Sequence, residues 1–415
     1  MNIQRCRGTY DLSHDEMRKF RLIEKTFRDC CLKWGYDEVR TPILEYLHLF
    51  TSTGTLTPKM LGKVYSFLDW DGWGGERVVL RPDGTIPVVR LYIDSMEEKR
   101  LAKLFYIANT FVFEETGEKP RERWQCGVEL IGAGSAIADV ELMSLAIDVL
   151  KRLKIEDIEI RLSHAGLLRA LLQEFMISPR EQTNVFDQML EGNIEALARL
   201  KPEKPELGEV ISLILDVKGQ APGFLKNIKA LFIKSLPKLE SPLNNFISII
   251  DHIETLGFTY RIDITSEKDF EYYTGIIFQL FVDNEKIGGG GRYDDLIPLI
   301  GGKDVHSSGF ALYLTNLISK ARPEPVPQRI LIKMIPEKCK ESFALVSYLH
   351  EAGYVAELYH EGQELTDFEW TIDIRSQTPL CIMIDQARQR KFEIQNAEEI
   401  LMILGGKSAD KGSIT

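Results

Sequence analysis

FVFEETGEKPRERWQCGVELIG, Phe111 to Gly132, is the stretch on which the fold turns. Phe111 to Glu114 alternate weakly and are predicted as one strand. Glu115 to Arg123 carry Thr116, Gly117 and Pro120, which break regular structure. Trp124 to Ile131 return as a second strand. Successive strand residues point to opposite faces, so Gln125, Gly127, Glu129 and Ile131 share one face and Trp124, Cys126, Val128 and Leu130 the other. A Gln and a Glu flanking a Gly suit a small polar pocket on a sheet. They equally suit a solvated strand face, and from this stretch alone the second reading is the simpler.

Working outward, the chain has 415 residues, enough for two or three domains, with 44% hydrophobic and 27% charged residues, as in a soluble globular protein. A net charge of -11 argues against a large phosphate-binding surface. Cys6, Cys30, Cys31, Cys126, Cys339 and Cys381 form no C-x-x-C pair, so reduced thiols are expected rather than disulfides or a metal site. MNIQRCRGTYDLSHDE has no apolar core of the kind a signal peptide needs, and no apolar run is long enough to span a bilayer. A cytoplasmic location is expected.

Asp15 to Trp34 reads as a helix capped by Ser13 and stopped by Gly35, with apolar residues near helical spacing. A short strand, Glu38 to Thr41, runs into Pro42. Val64 to Trp70 and Arg77 to Leu80 read as strands joined by DGWGG. In LRPDGTIPVVR, Pro82 and Gly84 shape a turn that presents Asp83 and Thr85; the carboxylate suits an ammonium group, a helix cap, or both. Ala136 to Leu153 is predicted helical and Ile158 to Leu162 extended. From about Leu167 to Leu256 helical patterns dominate, interrupted by KPEKPELGE, and read as an insertion. Strands follow at Tyr260 to Ile264 and Ile276 to Val282. The four glycines of IGGGGRYDDL allow close backbone approach, and a sharp turn is the expectation; no Gly-Lys-Ser/Thr follows, so this is not a phosphate loop. Ser307 to Lys320 reads as a strand entering a helix. RPEPVPQ is a linker, and Arg329 to about Gly406 alternates strands and helices.

RGTYDL, GYDEVRTPILE, LRPDGT, WQCGVELIG, FEYYTG and GGRYDDL stand in the order found in histidyl-tRNA synthetase, and residues 5 to 320 resemble the catalytic core of that class II aminoacyl-tRNA synthetase. The resemblance implies an α+β fold: a largely antiparallel sheet with flanking helices (1–166 and 257–321), a helical insertion (167–256), a linker (322–328) and a small C-terminal α/β domain (329–415). It implies a homodimer formed through the N-terminal helix and strand. It also implies an amino-acid pocket in which Asp83, Thr85 and Gln125 hold the α-ammonium, and Glu129 and Tyr273 hold an imidazole, with Tyr272 and Tyr293 nearby. Position 83 is usually glutamate in that family. An acceptor-rich pocket suits a donor-rich ligand, and a carboxylate favours the cationic imidazole.

Amino-acid activation joins two anions, a carboxylate and the α-phosphate of ATP, so it needs fixed cations. Set against the family's arginines, the chain has Val112, Glu115 and Asn316, with Thr315 before the last, and Lys268 in place of another. Arg81, Arg121 and Arg123 remain. From Gln328 to Thr415 there are ten Lys and Arg against fourteen Asp and Glu, the wrong sign for reading an anticodon. A histidine pocket kept beside a lost ATP apparatus resembles the regulatory subunit of ATP phosphoribosyltransferase. Lys268-Asp269 stand where that family has Arg-Gly before FEYYTG. This resemblance implies a non-catalytic protein of histidine biosynthesis without cofactor or metal. Its partner would be a short-form catalytic subunit and its effector histidine, with no nucleic acid or membrane involved. The alternative, set aside by the missing arginines, is an active histidyl-tRNA synthetase.

Overall fold

Ser13 starts the first helix as expected. It accepts the backbone N–H of Glu16 at 3.4 Å, and Glu16 accepts the N–H of Ser13 at 2.7 Å, a reciprocal capping box. Helix α1 (His14–Lys33) buries Phe20, Ile23, Phe27, Cys30 and Cys31 on one stripe, and the chain leaves it through Gly35 at φ +79°. This is a computed structural model, which describes residues 4–53, 61–70, 75–116, 119–175, 177–190, 193, 195–200, 205–216, 222–263, 272–322, 328–363 and 368–405. The loop read at 71–75, the KPEKPELGE segment, the linker at 322–328, the tail, and Lys268, Asp269, Phe270 and Glu271 fall wholly or partly outside those residues.

Residues 1–323 form one unit. Strands β1 (Asp37–Glu38), β2 (Leu44–Tyr46), β3 (Ser66–Asp69), β4 (Glu76–Leu80), β5 (Ala102–Phe111), β6 (Glu122–Ile131), β7 (Glu159–His164), β8 (Tyr260–Ile262), β9 (Ile276–Val282), β10 (Glu285–Arg292) and β11 (Ser307–Tyr313) make two sheets. The larger has the order β1-β5-β6-β11-β10-β9-β7-β8, antiparallel except for the outer pairs β1/β5 and β7/β8. The smaller, β2-β4-β3, is antiparallel. Helices α2 (Leu47–Thr51), α3 (Thr85–Ser95), α4 (Ala136–Arg152) and α5 (Ala165–Leu172) follow the chain. The insertion adds α6 (Pro179–Leu190), α7 (Glu195–Ala198), α8 (Pro205–Asp216), α9 (Pro222–Phe232) and α10 (Glu240–Thr255); α11 (Leu296–Leu299) and α12 (Leu314–Lys320) complete the unit. One face of the large sheet, with Cys126, Val128, Leu130, Phe310 and Leu312, joins α1, α4 and the insertion in a continuous apolar core.

Residues 324–415 form a second unit. Its strands β12 (Arg329–Lys333), β13 (Val355–Leu358), β14 (Trp370–Ile374), β15 (Cys381–Asp385) and β16 (Arg390–Ile394) order as β13-β12-β14-β15-β16. Helices α13 (Cys339–Glu351) and α14 (Ala397–Leu404) pack on it around Ile330, Ile332, Ile372, Met383 and Leu349.

Two expectations are corrected. The strand read at Phe111 to Glu114 is β5, which lies earlier and ends at Phe111. Leu104, Phe105 and Tyr106 are buried in succession on both faces, so the strand shows no clean alternation in the sequence. The sharp turn expected at Gly288 to Gly291 is instead the interior of β10, between β9 and β11. The chain turns at Asp283-Asn284, within the DNEK (283–286) that reads as a turn in the sequence, both residues at positive φ (+52° and +61°), as a two-residue hairpin demands. Glycine is required in the strand by crowding: a Cβ on Gly290 would lie 2.0 Å from the carbonyl oxygen of Gly309.

Candidate functional site

The face of the large sheet opposite α4 carries the polar residues. Gln125, Gly127 and Glu129 alternate along β6 and pair with Tyr313, Ala311 and Gly309 of β11. The solvated-face reading is overturned: Glu129 is fully buried. Three glycines on adjacent strands make room for three polar side chains. A Cβ on Gly127 would lie 2.1 Å from Cζ of Tyr106, one on Gly309 2.1 Å from Oε2 of Glu129, and one on Gly291 2.8 Å from Cδ1 of Tyr273. Gly84 does the same at the start of α3, where a Cβ would meet Tyr106 at 2.4 Å and Nε2 of Gln125 at 2.5 Å. Glycine here is what lets side chains lie flat against backbone.

All seven residues read as pocket-forming lie in this region. Asp83 is buried and accepts the N–H of Ile86 at 2.8 Å, so it caps α3 as one of its two readings held. Thr85 opens α3, with Tyr272 beside Asp83. Gln125 donates Nε2–H to the hydroxyl of Tyr106 at 3.0 Å. Tyr293 donates to Oε2 of Glu129, and Tyr272 packs edge-on to Tyr293 with ring centres 5.6 Å apart and against Tyr273 at 5.1 Å. Tyr106, buried on β5, completes the wall; sequence reasoning missed it because its strand went unread.

Two carboxylic acids therefore stand in a dry, hydroxyl-lined site. Burial pushes Glu129 up to about 8, against the pull of the Tyr293, Thr85 and Tyr106 hydroxyls. Burial pushes Asp83 up to about 6, against the backbone N–H groups at the start of α3. Oε1 of Glu129 is buried and has no hydrogen-bond partner among the described residues. An acceptor left unpaired in a dry site costs ~1–3 kcal/mol, and a ligand donor would relieve it.

Of the positions read as lost nucleotide contacts, Val112 and Asn316 are engaged in structure. Val112 pairs its N–H with the carbonyl of Arg121 at 2.9 Å, and Glu115 is exposed. Asn316 donates to the carbonyl of Lys286 at 3.1 Å, and Thr315 accepts the N–H of Trp124 at 3.4 Å. Arg81 has its donors engaged within the fold. It is buried and donates to the carbonyls of Asn109 (2.7 Å), Thr41 (3.0 Å) and Pro42 (3.2 Å), to Thr41 Oγ1 (3.1 Å) and to Asn109 Oδ1 (3.1 Å). Arg121 stacks 4.6 Å over Phe113 and donates to the carbonyl of Glu114 at 2.7 Å. Arg123 donates to the carbonyl of Pro120 at 3.3 Å from an exposed position. Among the described residues no group of three or more His, Cys, Asp or Glu could hold a metal.

The histidyl-tRNA synthetase family model matches residues 8–317. The chain is 48% identical over 410 residues to an ATP phosphoribosyltransferase regulatory subunit of Dehalococcoides mccartyi, covering 98% of this chain and 99% of that one. It is 30% identical over 425 residues to a histidine–tRNA ligase of Methanocaldococcus jannaschii, covering 99% and 94%. Among solved structures, an ATP phosphoribosyltransferase regulatory subunit/histidyl-tRNA synthetase from Bacillus halodurans superposes with TM-score 0.75 at 23% identity, covering 88% of this chain and 94% of that one. A histidyl-tRNA synthetase from Nostoc gives TM-score 0.76 at 18% identity, covering 97% and 100%. At these identities the two structures speak to the fold, which is the class II synthetase α+β fold.

Proposed function

The chain belongs to the histidyl-tRNA synthetase family, in its branch of ATP phosphoribosyltransferase regulatory subunits, and from that premise we propose that it switches on a short-form catalytic subunit and places it under histidine control. As a member of that branch it is non-catalytic and works with an ATP phosphoribosyltransferase catalytic subunit in histidine biosynthesis. The observation that carries histidine sensing is the orphaned Oε1 of Glu129 in a pocket that also buries Asp83. One end offers a carboxylate to an ammonium; the other offers a buried acceptor and three tyrosines to a ring that donates N–H. Arg81, the best-placed cation by sequence, has its donors spent on backbone and on Thr41 and Asn109, which leaves triphosphate little fixed charge.

Histidine acts as an inhibitor only if it prefers one arrangement of the assembly, since equal affinity for both shifts nothing. A homodimer through α1 and β1 is the scaffold we assign. The outward face of the β2-β4-β3 sheet extends it with Leu44, Tyr46 and Phe67, each about half exposed. Among the described residues no helix is long and apolar enough to cross a membrane. The test is calorimetry of the full chain with histidine and then Mg-ATP, followed by mixing with the catalytic subunit. Binding of histidine, silence with Mg-ATP and a rise in phosphoribosyl transfer are expected. Histidine-driven ATP–pyrophosphate exchange would overturn the reading in favour of an active synthetase.

A further inference from the structure

One buried ion pair lies directly beneath the pocket. Arg292 ends β10, and its side chain points to the α4 side of the sheet, opposite to Tyr293. The guanidinium donates Nη2–H to Oδ1 of Asp139 at 2.8 Å and Nε–H to Oδ2 at 3.3 Å. It also donates to Oδ1 of Asp294 at 3.3 Å and to the carbonyls of Ala133 (3.2 Å) and Ser135 (3.5 Å). Arg292 and Asp139 are both buried. A bidentate pair with its remaining donors met is the geometry in which a buried ion pair fixes position, whatever it adds to stability.

What it fixes is the tyrosine wall. The carbonyl of Arg292 accepts the N–H of Thr274 at 2.7 Å, and the N–H of Asp294 donates to Thr274 Oγ1 at 3.0 Å. Gly275 lies against the Arg292 stem, where a Cβ would sit 3.0 Å from Cδ. The segment bearing Tyr272 and Tyr273 thus hangs on Arg292. On its other side Tyr293 is held by a two-way exchange with Ser307: the Tyr293 N–H donates to the Ser307 carbonyl at 2.8 Å, and the Ser307 hydroxyl donates to the Tyr293 carbonyl at 3.0 Å. Ser307 is in turn held by Asp294, which accepts its N–H at 2.8 Å. His306 meets the outer oxygen of Asp294 at 3.1 Å. Helix α4 carries Asp139, and α5 meets the same network where Ala165 donates its N–H to the Gly275 carbonyl at 2.8 Å.

We propose that Asp139 and Arg292 are positioning residues for the pocket: they set Tyr293 against Glu129 and hold the Tyr272–Gly275 segment over the site. This rests on the histidine reading for its ligand but not for its geometry.

The experiment uses the full chain carrying Asp139→Asn, Asp294→Asn, Tyr293→Phe and the two double variants with Tyr293→Phe. Asp294, a quarter exposed on its side chain, gives a variant expected to fold even where Asp139→Asn does not. Calorimetry gives histidine affinity and, separately, the fraction of competent protein. A positioning role weakens the affinity at least tenfold with stoichiometry unchanged, and the loss disappears in the Tyr293→Phe background, because the two changes act on one contact. A purely structural role lowers the competent fraction, leaves Kd unchanged, and adds to Tyr293→Phe; that result overturns the proposal. The tyrosine band of the near-ultraviolet circular dichroism, taken without ligand, is the second readout. The contribution of Tyr293, seen as wild type minus Tyr293→Phe, is expected to vanish in the Asp139→Asn or Asp294→Asn background while the far-ultraviolet spectrum stays. If wild-type protein gives no heat with histidine yet this band is lost, the histidine reading falls and the positioning role stands. Superimposable spectra overturn the positioning role even where histidine binds.

Discussion

The hydroxyl of Tyr293 donates to Oε2 of Glu129, while Oε1 of the same buried carboxyl faces no partner among the described residues. The bond orients the carboxyl and leaves its other oxygen buried and unpaired. Burial raises the proton affinity of the pair's acid to about 8, so at neutral pH the empty pocket holds it mostly neutral. A site of this kind is costly when empty and charged, so the proton stays on Oε1 until a ligand that brings donors takes its place and the group ionises.

The first prediction follows from that proton. The ordinary value for the group is 4.5 and the folded value about 8, so folding takes up a proton between them. The stability this contributes is present in full below the unfolded value and is lost as pH rises through the folded one. Glu129→Gln keeps the shape and removes the titration. Thermal melts without ligand are expected to show wild type losing midpoint relative to Glu129→Gln as pH rises from about 4.5 to about 8, by several °C. Parallel curves for the two proteins would remove the buried acid from the account.

The glycine floor makes the second. Gly127→Ala drives a methyl into the Tyr106 ring, and Gly309→Ala drives one into the Glu129 carboxylate, each starting 2.1 Å away. Overpacking of this sort costs ~1–3 kcal/mol. Both variants are expected to melt earlier and to lose histidine binding by more than tenfold. Gly223 in α9 meets nothing within 4 Å, so Gly223→Ala serves as the control, neutral or slightly stabilising. Normal binding by Gly127→Ala would show that Tyr106 is no part of the wall.

How far the sequence discloses this site depends on which force writes the signal. The helix at His14–Lys33 and the strands at β6 and β9 declare themselves, because a cap or a run of apolar residues is local chemistry. The seven pocket residues come from order of motifs, and the fold brings them together. Gly288 to Gly291 mislead because glycine is needed for two unlike reasons, a turn at positive φ or a strand pressed against its neighbours, and only tertiary contact separates them. Tyr106 goes unread because β5, buried on both faces, has no period-two pattern. Glu129 looks solvated in sequence because burial of a carboxylate is decided by Tyr293, 164 positions away.

A third prediction concerns Arg81, an arginine that sequence alone leaves free to hold phosphate. Its guanidinium ties the Thr41–Pro42 backbone to Asn109 of β5. Lysine has three donors and no planar fork, so it cannot span those acceptors. Arg81→Lys is expected to destabilise the full chain by about 2–3 kcal/mol, as loss of charged hydrogen bonds at a buried site implies. Calorimetry with Mg-ATP is expected to be silent for wild type and variant alike. A nucleotide heat in wild type that Arg81→Lys abolishes would return this residue to a phosphate site.

The last prediction separates the two readings of Asp83, cap and ammonium partner. Burial lifts its carboxyl from 3.8 to about 6. An ammonium ligand is charged throughout the acid range, so it gains from Asp83 only while the carboxylate is ionised. Affinity supplied by Asp83 is therefore full above about pH 6 and declines as pH falls through it, approaching ~tenfold per pH unit once the group is mostly protonated. The imidazole of histidine titrates in the same window and would blur a profile taken alone. Asp83→Asn removes this confusion. Its amide oxygen still accepts the Ile86 N–H and caps α3, and only the charge is lost. At neutral pH the wild-type protein is expected to bind histidine at least tenfold more tightly than Asp83→Asn. Calorimetry repeated down to about pH 5 should bring the two affinities together. A ratio that stays level across the range would mean Asp83 serves α3 alone, and the ammonium must then find another partner.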